Sequence, residues 1–353
     1  MDTGITKAVI LAGGRGTRLR PLTNYLPKPL IPVLNRPFLE YTIAYLHKNS
    51  IDDIVLATGY LPEVVEHYLG DGSGLGVRLS YSVEKEPLGT AGAVKNAEKY
   101  LSGTFVVLNG DTFTDFNIAE MLAFHHDRKS RATIALTRVD NASAFGVVST
   151  DGDGKIRGFT EKPVSGQITA CWINAGIYLL EPDILRLVPP DRYCMFENET
   201  FPLLLQLNKS VCGYPFNGYL MDIGTPEKYL QLNIDLLQSK TKSAFIAEQL
   251  GRSGILCGKG VVVHDTAGIT GPVVIADGCD IGKEVRIKGS VVIGRNCHIS
   301  EGAIIEESVL WNNVTVGADV NLKRCVVTDD TLIESNRRIS NSVITKSDGE
   351  VRL

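Results

Sequence analysis

The chain has 353 residues, with 36 Lys and Arg against 40 Asp and Glu, a net charge of −4 and 44% hydrophobic residues. That length suits two or three domains with cores of their own, and ordinary apolar and charged fractions exclude a disordered or collagen-like polymer. A slightly acidic chain lacks the broad basic face of a general duplex binder, so no nucleic-acid partner is expected. The longest early apolar run, Ala8 to Ala12, is too short for a signal peptide or a spanning helix, which predicts a cytoplasmic protein with no membrane partner. The seven cysteines form no CxxC pair and are expected as reduced thiols in a core, with no zinc site. The adjacent His125 and His126 are expected on a solvated helix surface.

From residue 6 to about 238, short β-branched runs alternate with longer helical stretches, an α/β pattern. Strands are predicted at Ala8 to Leu11, Ile54 to Thr58, Phe105 to Leu108, Thr133 to Thr137 and Gly176 to Leu179. Helices are predicted at Pro37 to Asn49, Pro62 to Leu69, Ala91 to Tyr100 and Pro226 to Leu237, the last with Thr225 as N-cap and Pro226 in the first turn. A Rossmann-like mixed sheet with helices on both faces follows.

The second half has another period. Ile275, Ile281, Ile287, Ile293, Ile299 and Ile305 recur every six residues, and the positions four further on, Cys279, Val285, Val291, Cys297, Ala303 and Val309, are small or β-branched. The phase then slips by one to continue as Leu310, Val316 and Leu322. No helix or plain strand has this period. It resembles the hexapeptide repeat of left-handed parallel β-helices, in which an aliphatic residue of each turn stacks on the coil below. The predicted organisation is a catalytic domain over 1–238, a polar linker over 239–254 and a β-helix domain over 255–353.

The first strand runs into Leu11-Ala12-Gly13-Gly14-Arg15-Gly16-Thr17-Arg18-Leu19-Arg20-Pro21-Leu22-Thr23, followed by Pro27-Lys28-Pro29-Leu30. Between Thr3 and Leu39 there is no acid, whereas six basic residues lie there: Lys7, Arg15, Arg18, Arg20, Lys28 and Arg36. Glycines after a buried strand expose backbone N–H groups that can cradle a polyphosphate. Walker A would need Lys-Ser/Thr after its last glycine, and the dinucleotide fingerprint would need a third glycine where Leu19 stands, so neither motif applies.

The string GGRGTRLRPLT with the following PKPL resembles the sugar nucleotidyltransferases, which make NDP-sugars from an NTP and a sugar 1-phosphate. Further matches fall in order: Glu84 to Gly92, Leu108 to Asp111, Phe145 to Val148, Thr160 to Pro163, Asn174 to Tyr178 and Met221 to Thr225. The likeness is greatest to the branch that transfers guanylyl groups to mannose 1-phosphate, with heptose-phosphate guanylyltransferases close behind. It implies that the phosphate of the sugar, already ionised because its second pKa is about 6, attacks the NTP α-phosphorus.

The resemblance implies that Asp111 and Asp222, each following a strand-like run, hold Mg2+. Arg18 and Lys28 become the catalytic cations on the triphosphate, one by forked hydrogen bonds and one as a point charge. Leu11, Ala12, Gly13, Gly14, Arg15, Gly16, Thr17, Glu84, Pro87, Gly89 and Thr90 complete the nucleotide site, although Arg15 could equally be a solvated loop tip and Arg20 is taken as structural. Gly146, Glu161, Lys162, Asn174 and Asp222 are expected to receive the sugar phosphate. Glu84 favours GTP, since one carboxylate can accept guanine N1–H and the 2-amino group together; Glu86 or backbone near Leu11 and Gly89 are alternatives.

Thymidylyl or uridylyl transfer to glucose 1-phosphate remains an alternative. So does acyl transfer by the β-helix, for which His264 and His298 are the only bases, on a tail holding about five coils of roughly 18 residues. A non-catalytic regulatory subunit should show damage in the loop or metal positions, and Arg18, Lys28, Asp111 and Asp222 are all present. The β-helix is expected to assemble the chain into a homo-oligomer.

Overall fold

A computed structural model describes residues 7–139, 146–160, 171–241, 254–347 and 349–353. It divides into two compact bodies: Met1–Arg15 with Leu39–Leu220, and Gly16–Phe38 with Met221–Leu353.

The first body is built on a mixed sheet. Lys7–Ala12 pairs in parallel with Asp53–Thr58 and with Phe105–Asn109, and Asp53–Thr58 pairs in parallel with Arg78–Val83. The long strand Cys171–Leu180 joins antiparallel to Phe105–Asn109 and to Ala132–Val139, beyond which Val211–Phe216 pairs in parallel. Val9, Val55 and Val107 are buried to 1% exposure or less, the run of β-branched residues that a strand covered on both faces requires.

Cys171–Leu180 exceeds the predicted Gly176 to Leu179 because its first half alternates, with Cys171 and Ile173 buried and Trp172 and Asn174 half-buried. Its register shifts between Asn174 and Tyr178. Gly176 sits there at φ 72°, where a Cβ would lie 2.3 Å from Asn109 Nδ2, so glycine is required by both backbone and space.

The predicted helix Ala91 to Tyr100 is divided: Gly89–Asn96 is α-helical and a 3-10 turn follows at Glu98–Tyr100. Asn96 turns its amide onto Ser82 Oγ at 2.9 Å and Val83 O at 3.2 Å, a local alternative to continuing the helix. His125 departs from the expected solvated surface. It is buried on the helix Ile118–Asp127, with Nδ1 at 2.8 Å from Thr133 Oγ1 and Nε2 at 3.2 Å from Glu181 Oε1. Only His126 of the pair is exposed.

In the second body, the hairpin Pro32–Val33/Arg36–Pro37 and the helix Pro226–Leu237 precede a parallel β-helix of short strands in three ladders. Thr225 caps the helix as predicted, its hydroxyl accepting from Lys228 N at 3.3 Å. The six in-phase isoleucines are 0–1% exposed and point into one continuous core. Val273 pairs with Val291 and Asp280 with His298, eighteen residues apart, whereas Val292 pairs with Val309 and Thr315 with Leu332, seventeen apart.

The slip in sequence phase therefore marks one shortened corner. The turn made by Gly289 and Ser290 is made next by Glu307, then by Arg324 and Asn341, all at positive φ (44°, 53° and 50°). All seven cysteines are free and six are buried; Cys257 is exposed in the first described coil. Among the described residues no helix is long and apolar enough to cross a membrane.

Candidate nucleotide and sugar-phosphate site

In the first body, candidate residues follow the C-terminal ends of parallel strands, where open α/β sheets present their ligand crevices. Lys7–Ala12 leads to Gly13, Arg78–Val83 to Glu84 and Phe105–Asn109 to Asp111. Leu11 and Ala12 end the first strand and carry the chain into the loop. A Cβ on Gly13 would lie 2.7 Å from Glu84 Oε1, and one on Gly59 3.1 Å from Gly13 O, so these glycines let a carboxylate come against the loop backbone. Glu84 Oε2 accepts Leu88 N–H at 2.8 Å. Burial raises the Glu84 pKa above the usual carboxylate range, opposed by that N–H. Gly14, Arg15 and Pro87 are exposed.

Gly89 and Gly92 also make room for a second segment of the chain. Ala91 N and Gly92 N donate to Cys194 O at 3.0 and 3.1 Å, while Cys194 N donates to Leu88 O at 2.8 Å. A Cβ on Gly89 would be 2.6 Å from Cys194 O, and one on Gly92 2.7 Å from Arg192 O. The glycines of Gly89-Thr90-Ala91-Gly92 thus admit a distant segment onto the helix N-terminus, satisfying donors that the helix leaves open.

That segment also carries Glu197, which the sequence reading missed. Glu197 Oε1 accepts Tyr178 OH at 2.7 Å and Asn174 Nδ2 at 3.3 Å, and Oε2 accepts Thr90 OH at 3.1 Å. One carboxylate thereby joins the expected nucleotide residue Thr90 to the expected sugar residue Asn174. Nothing near Glu197 in the sequence signals this, because its partners come from two other elements, the strand Cys171–Leu180 and the helix Gly89–Asn96. Burial pushes the Tyr178 hydroxyl well above its ordinary pKa, and the Glu197 charge adds to the effect, so it remains a donor.

Asp111 follows Gly110, whose N–H donates to Leu11 O at 2.9 Å, and Thr112 OH donates to Asp111 Oδ1 at 3.3 Å. Gly146 is exposed just before the strand Val147–Thr150. Glu161 and Lys162 lie outside the described residues.

The second body holds Gly16, Thr17, Arg18, Lys28 and Asp222. Gly16, at φ 61°, passes close enough that a Cβ would be 2.9 Å from Thr23 Cγ2 and 3.3 Å from Lys28 Cβ, and Thr23 OH donates to Gly16 O at 2.8 Å. Thr17 and Arg18 are in an exposed 3-10 turn; Lys28 is 8% exposed. Asp222 ends the strand Leu220–Asp222, and Lys228 Nζ donates to its Oδ1. A Cβ on Gly224 would lie 2.6 Å from Asp222 Oδ2 and 3.8 Å from Arg18 Nη2, which brings Arg18 and Asp222 to either side of one glycine. Lys228 was also missed, although it stands in the first turn after the Thr225 cap and close in sequence to Asp222.

These donors suit a hard divalent cation. In the second body, with Oδ1 of Asp222 engaged by Lys228, Oδ2 borders the space that Gly224 leaves open; in the first body, Asp111 offers a carboxylate directly after the strand Phe105–Asn109. Among the described residues no three His, Cys, Asp or Glu side chains form a cage, so a cation here would draw further ligands from phosphates and water. In the β-helix, His264 Nδ1 lies 2.9 Å from Thr266 Oγ1 and His298 Nδ1 3.1 Å from Asp280 Oδ2, both exposed.

A mixed sheet whose parallel strands end in a glycine loop and carboxylates is the α/β class of fold that presents its ligand crevice at those strand ends. Residues 7–239 match the family described as nucleotidyl transferase, and the chain belongs to that family. Residues 252–352 match the EIF2B subunit epsilon LbH domain, which makes the C-terminal coils a left-handed β-helix.

Among curated relatives, a mannose-1-phosphate guanylyltransferase of Mycobacterium tuberculosis is 35% identical over 87% of this chain and 84% of its own. A UTP–glucose-1-phosphate uridylyltransferase of Synechocystis is 33% identical over 90% and 85%. Among solved structures, HddC from Yersinia pseudotuberculosis, in complex with GMP-PN, superposes with a TM-score of 0.57 at 30% identity, covering 66% of this chain and all of that one.

Proposed function

We propose that the protein is a sugar-1-phosphate nucleotidyltransferase that converts GTP and mannose 1-phosphate to GDP-mannose and pyrophosphate. The observation that carries this reading is Glu84, a carboxylate seated against Gly13 of the glycine loop, where it can accept the two adjacent donors of guanine. The guanylyltransferase relatives support the same choice.

In the reaction a phosphate oxygen of the sugar 1-phosphate forms a bond to the α-phosphorus, and the bond from that phosphorus to the bridging oxygen of pyrophosphate breaks. No general base is needed, so the protein's task is alignment and neutralisation of charge. Arg18 donates to the departing pyrophosphate and Lys28 places a point charge beside the triphosphate. Leu11 to Thr17, Pro87, Gly89 and Thr90 border the nucleotide. Gly146, Glu161, Lys162 and Asn174 receive the sugar phosphate, Lys162 at its charge and Glu161 at its hydroxyls. Mg2+, held by Asp111 and Asp222, supplies neutralisation of phosphate charge when bound. Lys228 orients Asp222 by donating to its Oδ1.

We assign catalysis to residues 1–238, a linker to 239–254 and assembly into a homo-oligomer to the β-helix of 255–353, with the protein acting in the cytoplasm. Sedimentation at micromolar concentration is expected to give an oligomer, and a monomer would overturn that assignment.

Pyrophosphate release in Mg2+, measured with each NTP and dTTP against mannose, glucose and heptose 1-phosphates, tests the function. GTP with mannose 1-phosphate is expected to be the best pair. Preference for UTP or dTTP with glucose 1-phosphate would sink the Glu84 assignment while keeping the class, and silence with every pair would sink the class.

A further inference from the structure

Three groups in the second body form a chain of hydrogen bonds from the β-helix to the hairpin that follows the Lys28–Leu30 turn. Trp311, 5% exposed and in a β-helix coil, donates its indole N–H to Tyr229 Oη at 2.9 Å. Tyr229, fully buried on the helix Pro226–Leu237, donates its hydroxyl to Pro32 O at 2.5 Å. The rings of Tyr229 and Trp311 meet edge-on, with centroids 6.4 Å apart. Pro32 starts the hairpin that follows the Lys28–Leu30 turn, and Tyr229 adjoins Lys228, which grips Asp222.

The hairpin is pinned at its tip as well. Leu34 N donates to Asn233 Oδ1 at 2.9 Å, and Asn35 Nδ2 donates to Ile293 O of the β-helix at 2.8 Å. Asn233 is fully buried and anchors itself by donating to Tyr229 O at 2.9 Å. A buried hydroxyl that both accepts from Trp311 and donates to Pro32 fixes the spacing of three segments at once, which packing of apolar side chains would leave freer.

We propose that Trp311 is a positioning residue of the nucleotidyl-transfer site, acting through Tyr229 to set Lys28 and the Lys228–Asp222 pair. The β-helix is then part of the catalytic apparatus as well as a means of assembly. This rests on the functional reading above for the identity of the reaction, but not for the anion that the basic loop binds.

The test compares full-length Trp311→Phe and Tyr229→Phe with wild type, using Gln238→Ala as control. Gln238 also reaches the β-helix, donating to Ser290 Oγ at 3.3 Å, but stands outside the chain of bonds. Two readouts are taken: KM and kcat for the wild type's best substrate pair with the Mg2+ dependence of rate, and calorimetric affinity for inorganic pyrophosphate. Both aromatic variants are expected to raise KM for the NTP and the Mg2+ requirement by about three- to tenfold, with pyrophosphate affinity falling alike. The double variant should cost less than the product of the two, and Gln238→Ala should match wild type.

A variant that loses only active fraction, with lowered kcat and unchanged KM, Mg2+ dependence and pyrophosphate affinity, would overturn the proposal in favour of a purely structural contact. Should the wild type turn over no pair, the functional reading fails, and pyrophosphate affinity alone decides: unchanged affinity in both variants overturns the positioning role, and a matching loss upholds it.

Discussion

In the β-helix, core residues stack on aliphatic residues of the next coil: Ile275 pairs with Ile293, Ile281 with Ile299 and Ile287 with Ile305. In the first body such order is broken at strand ends and at the register shift of Cys171–Leu180, where Gly13 lies against Glu84, Gly89 against Cys194 and Gly176 against Asn109, each pairing unlike the others. A repeated contact spreads a substitution's cost over neighbouring coils, as expected of a quasi-one-dimensional stack. An unrepeated contact concentrates function and vulnerability in single residues. The comparison separates what is periodic and stabilising from what is singular and chemical.

The largest effect should come from the carboxylates. Asp111→Asn and Asp222→Asn are each expected to lower kcat/KM by about 10^3-fold, with the folded state retained by circular dichroism. Activity within about twofold of wild type would remove them from the site.

Ile287→Ala, in contrast, should lower unfolding free energy by about 2–4 kcal/mol while leaving both KM values unchanged, as read from urea titrations and steady-state kinetics. A KM change there would blur the distinction between the bodies.

Glycines sharpen it further. Gly89→Ala places a Cβ 2.6 Å from a carbonyl oxygen and should cost about 3 kcal/mol, whereas Gly260→Ala, also at positive φ but facing open space, should cost about 1 kcal/mol. Equal costs would mean that backbone conformation alone sets the requirement.

Two pH effects are smaller. If Glu84 reads guanine as a carboxylate, its raised pKa means that KM for GTP rises as pH falls from neutrality, and Glu84→Gln should flatten that dependence. Burial lowers the pKa of His125, partly offset by Glu181. The neutral ring belongs to the folded state, while the unfolded chain takes up a proton near pH ~6.5. Stability from this source is therefore complete above that pH and is lost as pH falls toward the folded pKa. Thermal melts between neutral and mildly acidic pH should show the decline, and His125→Gln should lessen it.

The strands Lys7–Ala12, Asp53–Thr58 and Phe105–Asn109 and the helices Phe38–Lys48, Pro62–Leu69 and Pro226–Leu237 were legible because each writes its burial pattern into consecutive residues. The coils were more legible still, and even the shortened corner at Glu307 showed as a slip of phase. His125 was not, since a histidine on a helix bears no local mark of the Thr133 and Glu181 that bury and bond it. Among the candidate site residues, Gly13, Glu84 and Asp111 were singled out by motif, but the packing reason for Gly89 and Gly92 was not legible, because Cys194 reaches them from another part of the chain.

Local order in the residues was thus enough to specify the α/β alternation, the period of the β-helix and the acid-free basic loop, all of which depend on neighbours in sequence. Tertiary packing decided that Glu197 joins Thr90 to Asn174, that Lys228 holds Asp222 and that Trp311 reaches Pro32 through Tyr229. Those contacts bring together segments whose spacing follows from the packing of the whole body, and no short stretch of sequence carries that information.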